Sequence, residues 1–241
     1  MQVLVVASIA LVTQSCRGLE ERPRHAVTPS SPAASASTTA LEAFEAETLR
    51  QRITAVDGRS WDAAFDVAFD GAAVFVTLRV KLVPGPGVTR AAIREREGGW
   101  REAAAGAWSR RLWVETPGGQ RSPVLFALSF GGAETHHDVI VRQGSGRSSP
   151  LHWNLYDPPQ RVAHEIGHLL GAYDEYPAGA LAPSLSDHGD HESRSARPAG
   201  ASMMGVEGAA LQGAEPRHMY VLGDWLRQRT GVALRLVKDT P

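Results

Sequence analysis

The segment Asp157–Gly171, DPPQRVAHEIGHLLG, reads as a helix with both ends marked. Asp157 suits the N-cap, Pro158 the first helical position and Gln160 the closing member of a capping box. The pattern predicts a helix from Pro158 to about Leu170, stopped by Gly171 in a left-handed conformation. Ile166, Leu169 and Leu170 give it an apolar face to bury. His164 and His168 lie one turn apart on one side, so both imidazoles can reach a single ion. The fold must therefore bury this helix while leaving room for a polar site along it.

The chain is long enough for one moderate domain with a proper core, at 241 residues. Its formal net charge is −1, so nothing in the overall charge favours nucleic acid as a partner. Cys16 is the only cysteine, so the fold holds without an internal disulfide.

The first residues read as an export signal. Val3 to Val12 is an apolar run too short to span a membrane and right for the core of a secretory signal. "VTQSC", ending at Cys16, resembles a bacterial lipobox, in which that Cys is lipidated; the alternatives are a plain cleaved signal and a buried N-terminal strand. The first two place the protein outside the cytoplasm, at the cell envelope or secreted, and a lipid on Cys16 would be its one membrane attachment. Residues 17–40 are rich in Pro, Ser, Ala and Thr and poor in large apolar residues, the composition of a disordered tether. The folded domain is expected over 41–241.

Within it, Leu41, Phe44, Leu49, Ile53 and Val56 fall at roughly helical spacing and predict a short helix. Phe65, Val67 and Phe69 alternate before Asp70-Gly71, and Val74 to Val83 follows, which predicts a β-hairpin. Thr89 to Arg110 reads as a helix with Ile93, Trp100, Ala104 and Trp108 inward. Strands are expected at Arg111–Glu115, Val124–Phe130, His137–Arg142 and His152–Tyr156. After Pro216 a C-terminal helix runs to Gly231, with Met219, Leu222, Trp225 and Leu226 as its core face. "VALRLV" then adds a last strand.

Neutral imidazole is a preferred zinc ligand, and a catalytic zinc usually has three protein ligands and one open position. Glu165, offset by one residue from His164, stands where a general base can take a proton from metal-bound water. The third ligand is sought beyond the turn at Gly171. Asp174 is the candidate, and Glu175 the alternative if the turn is one residue longer. The spacing is then H-E-x-x-H-x-x-G-x-x-D.

His164 to Asp174 resembles the zinc signature of the metzincin metallopeptidases, nearest the snapalysin-like branch, where Asp replaces the usual third His. The resemblance implies a zinc-dependent endopeptidase with Zn²⁺ on His164, His168 and Asp174 and Glu165 as base. It also implies a Met-turn, for which "ASMMG" and Met204 are the match. The implied fold is α/β and zincin-like. Its sheet is mixed, mostly parallel and twisted, with an antiparallel edge strand, an active-site helix and a small C-terminal helical subdomain. By that analogy His137–Arg142 is the edge that pairs with substrate. The polar stretch Ser186–Gly200 and the residues after Met204 depart from the family. Tyr173, Tyr176 and Tyr220 are therefore the candidates for a transition-state-stabilising hydroxyl.

His188 and His191 read as solvated loop residues with a second metal as the alternative, and His136 and His137 as satisfied or surface residues. His218 is a candidate to approach the site from below. Two other functions remain open: a zincin-fold module that binds without catalysis, and a zinc amidase acting on cell-wall peptides. Retention of Glu165 favours catalysis over mere binding.

Overall fold

The computed structural model describes residues 40–144, 146–176, 179, 202–205 and 213–238. The export signal with Cys16, residues 17–39 of the tether and the His188/His191 loop lie outside these residues. The fold is α/β, with a mixed, curled sheet and a few helices. No helix among the described residues is long and apolar enough to cross a membrane.

The segment expected to open with a helix forms strand β1 instead, Phe44–Thr54. Its residues Glu, Ala, Leu, Arg and Gln favour helix locally. The strand forms because β2, Ser60–Phe69, offers an antiparallel partner along its whole length. Leu49 lies opposite Phe65 and Ile53 opposite Trp61, and all four are buried. Cross-strand packing of this kind overrides weak local preference. Residues four apart share a face in a strand as well as in a helix, so Leu49 and Ile53 alone did not distinguish them.

β2 turns through Asp70, whose carboxylate accepts from the Ala72 and Ala73 amides at 2.8 Å, into β3, Val74–Pro84. Helix α1, Arg90–Trp108, follows, with Thr89 as its N-cap. Strands β4 (Leu112–Glu115), β5 (Arg121–Phe130), β6 (His137–Arg142) and β7 (His152–Asn154) lead to helix α2, Pro159–Leu169. A 3₁₀ turn, Pro216–Met219, precedes α3, Tyr220–Thr230, and β8, Arg235–Lys238. Gly231, at φ 69°, ends α3 in the left-handed conformation.

β3 organises the sheet. Val80 pairs with Phe130 of β5 on one side and with His137 of β6 on the other. β2 pairs only with Val74–Thr77 of β3 and then leaves it. β6 fills the edge thus freed, parallel to β3, and β7 lies outside β6, also parallel. His137–Arg142 is therefore an interior, parallel strand and not the antiparallel edge that was expected. Nor is the sheet mostly parallel: among the described residues, four of its seven pairings are antiparallel. The C-terminal part is not a separate helical piece either, because β8 returns to pair with β4.

Two histidines seal the place where β2 and β3 part. His136 Nδ1 accepts from the Arg79 amide at 2.9 Å, which puts the ring proton on Nε2, 3.0 Å from Asp66. Asp66 also accepts from Thr48 and Arg79. His137 Nε2 donates to the Ala64 carbonyl at 3.0 Å. Both are satisfied, buried histidines, as expected of them.

α2 lies buried from Val162 to Leu169. Val162, Ile166, Leu169 and the following Leu170 are fully covered, each contributing roughly 1.5–3 kcal/mol. Two indoles hold it: Trp108 Nε1 donates to the Ala163 carbonyl at 2.9 Å and Trp61 Nε1 to the His168 carbonyl at 2.7 Å. The helix starts one residue later than predicted, and Asp157 does not cap it. Pro159 has no amide hydrogen to offer and holds Pro158 extended, at ψ 137°. The buried Asp157 carboxylate instead accepts from Ser148, from the Asn154 amide at 3.0 Å and from Arg161 at 3.1 Å. The capping box expected through Gln160 is likewise not formed.

Candidate metal centre

His164 and His168 stand one turn apart on α2, with ring centroids 5.1 Å apart. Each Nδ1–H donates to a carbonyl: His164 to Met203 at 3.0 Å, His168 to Ala172 at 2.9 Å. A carbonyl only accepts, so both rings are held as the tautomer with a lone pair on Nε2. Past the helix Gly171 takes φ 101°, and a side chain there would strike Val221. That turn returns the chain so that Asp174 Oδ1 lies 3.1 Å from His164 Nε2 and 3.3 Å from His168 Nε2. All three residues are buried, and together they can hold a metal ion.

Glu165 is buried beside them, and among the described residues none hydrogen-bonds its carboxylate. Burial raises its pKa, and the nearby His168 and His164 oppose that rise. The His168 imidazole is pulled down by burial, but Asp174, with Glu165 and the Ala172 carbonyl, more than compensates and holds its pKa above the ordinary value.

Comparison with protein-family models, curated proteins and solved structures finds no match for this chain. The centre is therefore read from its own geometry.

Beneath α2 lies the turn Ser202–Gly205, in which Ser202 Oγ accepts from the Met204 amide at 3.2 Å and the Gly205 amide donates to the Ser202 carbonyl at 3.0 Å. Met204 is fully buried against Gly167, between the two histidines. A Cβ on Gly167 would fall 2.5 Å from Met204 Sδ and 2.9 Å from Trp108 Cζ2. Gly167 was not singled out in the sequence. The signal was there, since a glycine inside a strong helical pattern often marks close packing.

Glu175 is not a member of the metal group. Arg217 binds its carboxylate twice, at 2.5 and 3.1 Å, and His218 Nε2 lies 3.1 Å from it. With this cation and hydrogen-bond donor outweighing burial, its pKa is far below the ordinary carboxylate range. The Glu175 amide also donates to the Met204 carbonyl at 2.9 Å. His218 is not in the metal group either. Its Nδ1 accepts from the Glu215 amide at 3.0 Å, and Nε2 is 3.3 Å from Ser202 Oγ. His218 and Glu175 thus brace the Met204 turn and the Asp174 strap against each other. Arg217, which completes this brace, had no signal in sequence spacing. Gly179 approaches Asp174 so closely that any side chain there would collide with the carboxylate.

The three tyrosines separate cleanly. Tyr173 and Tyr220 stack on each other at 5.9 Å, Tyr173 also against Trp61, as part of the core. Tyr176 is half-buried, with its ring 6.4 Å from that of His164. Burial and the Asp174 carboxylate, to which it hydrogen-bonds, raise its pKa, while Arg147 draws it down.

Proposed function

We propose that this chain is a zinc-dependent endopeptidase of metzincin type, exported to the cell envelope or secreted, that hydrolyses peptide bonds of proteins outside the cytoplasm. The observation that carries the reading is Glu165: a buried carboxylate with raised proton affinity, next to three converging ligand atoms. Two imidazoles and one carboxylate are a donor set suited to zinc. The distances from Asp174 to the two histidines match the edge of roughly 3.3 Å expected between ligands on a tetrahedral zinc.

His164, His168 and Asp174 would hold the zinc, which when bound would supply a Lewis acid to polarise the scissile carbonyl and ease deprotonation of the attacking water. Glu165 takes that proton and returns it to the leaving amine. The Met203 and Ala172 carbonyls keep both imidazoles oriented throughout. Burial around Glu165 excludes competing bulk water and keeps its proton affinity high.

The test uses the full chain and Glu165→Ala, both zinc-loaded, with bound zinc measured and two substrates offered: a denatured protein and a cell-wall peptide. Cleavage of the protein by the wild type, lost in a variant that still holds zinc, is the expected result. Cleavage of the cell-wall peptide alone would make it an amidase. Zinc bound without cleavage of either would favour a binding module, and failure to bind zinc would end the reading.

A further inference from the structure

The segment that leads through β7 into α2 is rich in arginine. From Arg142 to Arg161 the chain carries three arginines and a single acid, Asp157. Arg142 is exposed; partial burial, and secondarily this guanidinium, lower the pKa of the His152 imidazole on β7. Arg147 is exposed on the segment leading into β7, and its Nη2 is 3.5 Å from Tyr176 Oη. One aromatic side chain therefore separates the Arg147 guanidinium from His164 and Asp174.

The outer edge of β7 offers a peptide little backbone to pair with. Flanking β7, Leu151 and Leu155 bond inward to β6 through the Ile140 amide and the Arg142 carbonyl. The outward groups are on His152 and Asn154. His152 exchanges both backbone bonds with Ser149, at 2.9 and 3.0 Å. The Asn154 amide donates to the Asp157 carboxylate, and its carbonyl accepts from the Asp157 amide at 3.0 Å. An extended substrate cannot add to β7 as another strand, so recognition on this side falls to side chains.

We infer that Arg147 is a specificity-determining residue, and that the centre prefers peptides bearing a carboxylate next to the bond to be cut. The inference rests on the peptidase reading above. A planar guanidinium matches a carboxylate through paired hydrogen bonds, which a lysine or a neutral donor does not reproduce. The carboxylate can come from an Asp or Glu side chain or from the peptide's own C-terminus. Because Arg147 is exposed, the preference is moderate, about five- to tenfold.

The test uses the full chain as wild type, Arg147→Gln and Arg147→Glu. Matched peptides carry Glu, Gln or Lys next to the scissile bond, each with a free or amidated C-terminus. Two quantities are read: kcat/KM, and the Kd of the same peptides for each chain in a Glu165→Ala background. The wild type should favour Glu over Gln about five- to tenfold. Arg147→Gln should shrink that to within about twofold, and Arg147→Glu should shift the preference to Lys. If amidation removes the preference, the terminal carboxylate is the group recognised; if it does not, the side chain is. Equal treatment of Glu and Gln by the wild type, or an unchanged preference in Arg147→Gln, overturns the assignment. If nothing is cut, the peptidase reading fails, and the Kd series still decides whether Arg147 selects carboxylates.

Discussion

His164 donates its Nδ1 proton to the carbonyl of Met203, 3.0 Å away, although the two are 39 residues apart in the chain. A turn that touches no ion thus sets the tautomer of one that would. The centre depends on the fit between α2 and this turn, and the fit depends on Gly167. Gly167→Ala would place a methyl against Met204 and Trp108. Overpacking of this kind costs about 1–3 kcal/mol, more than alanine gains as a helix former. The urea midpoint of the variant should fall accordingly; a midpoint at or above that of the wild type would contradict the tight contact.

Glu175→Gln keeps the shape of the brace and removes its charge. Arg217, almost fully buried, then loses its bidentate partner and keeps Glu215 at 3.7 Å. Breaking a buried pair on one side costs about 3–5 kcal/mol, and the residual Glu215 contact should hold the loss to about 2–4. Because Glu175 adjoins Asp174, zinc affinity measured by chelator competition should weaken as well. Unchanged stability and unchanged zinc affinity would show that the brace is idle.

His137 gives the fold an acid sensitivity separate from the metal. Burial pushes its pKa down to about 4, against a bond to the Ala64 carbonyl that favours the charged form. The unfolded chain therefore binds a proton, between roughly pH 6.5 and pH 4, that the folded chain refuses. Stability should be full above that window and decline as pH falls through it, by roughly 3 kcal/mol at most from this residue. His137→Gln, which can still donate to Ala64, should flatten the slope of denaturation free energy against pH. A slope identical to that of the wild type would reject this origin.

Protons and metal compete for the centre. Asp174 holds the His168 pKa above its ordinary value despite burial, so protonation of His168 begins at a higher pH than for a free imidazole. Zinc affinity should drop on acidification from neutral pH, with proton release on binding in calorimetry. Asp174→Asn removes both a ligand and that upward pull, and should weaken zinc binding more than tenfold. Binding that stays constant down to pH 5 would exclude these residues as ligands.

Much of the centre was legible because it is local. His164, Glu165, His168, Gly171 and Asp174 lie within one helix and one turn, where spacing fixes geometry. Both C-terminal elements and the hairpin were also readable, from caps, a turn and alternation. What escaped is non-local. β1 is a strand because β2 lies beside it, and β6 runs inside the sheet because β2 leaves β3 early. The Glu175–Arg217 pair joins residues 42 apart, and no periodicity encodes such a meeting. Asp157 was misread for a local reason: two prolines in a row changed what the carboxylate could reach.

β8 leaves the ribosome more than a hundred residues after β4, its partner. Until Arg235–Lys238 emerges, the outer edge of β4 has no native strand to meet. Lys238 also holds Glu215 at 2.5 Å, just before the Arg217 that clasps Glu175. The ligand-bearing helix is therefore synthesised well before the strand that completes its surroundings. A nascent chain stalled short of residue 235 would present an unclosed sheet to the folding machinery, and such chains should be the ones most readily captured by chaperones and degraded.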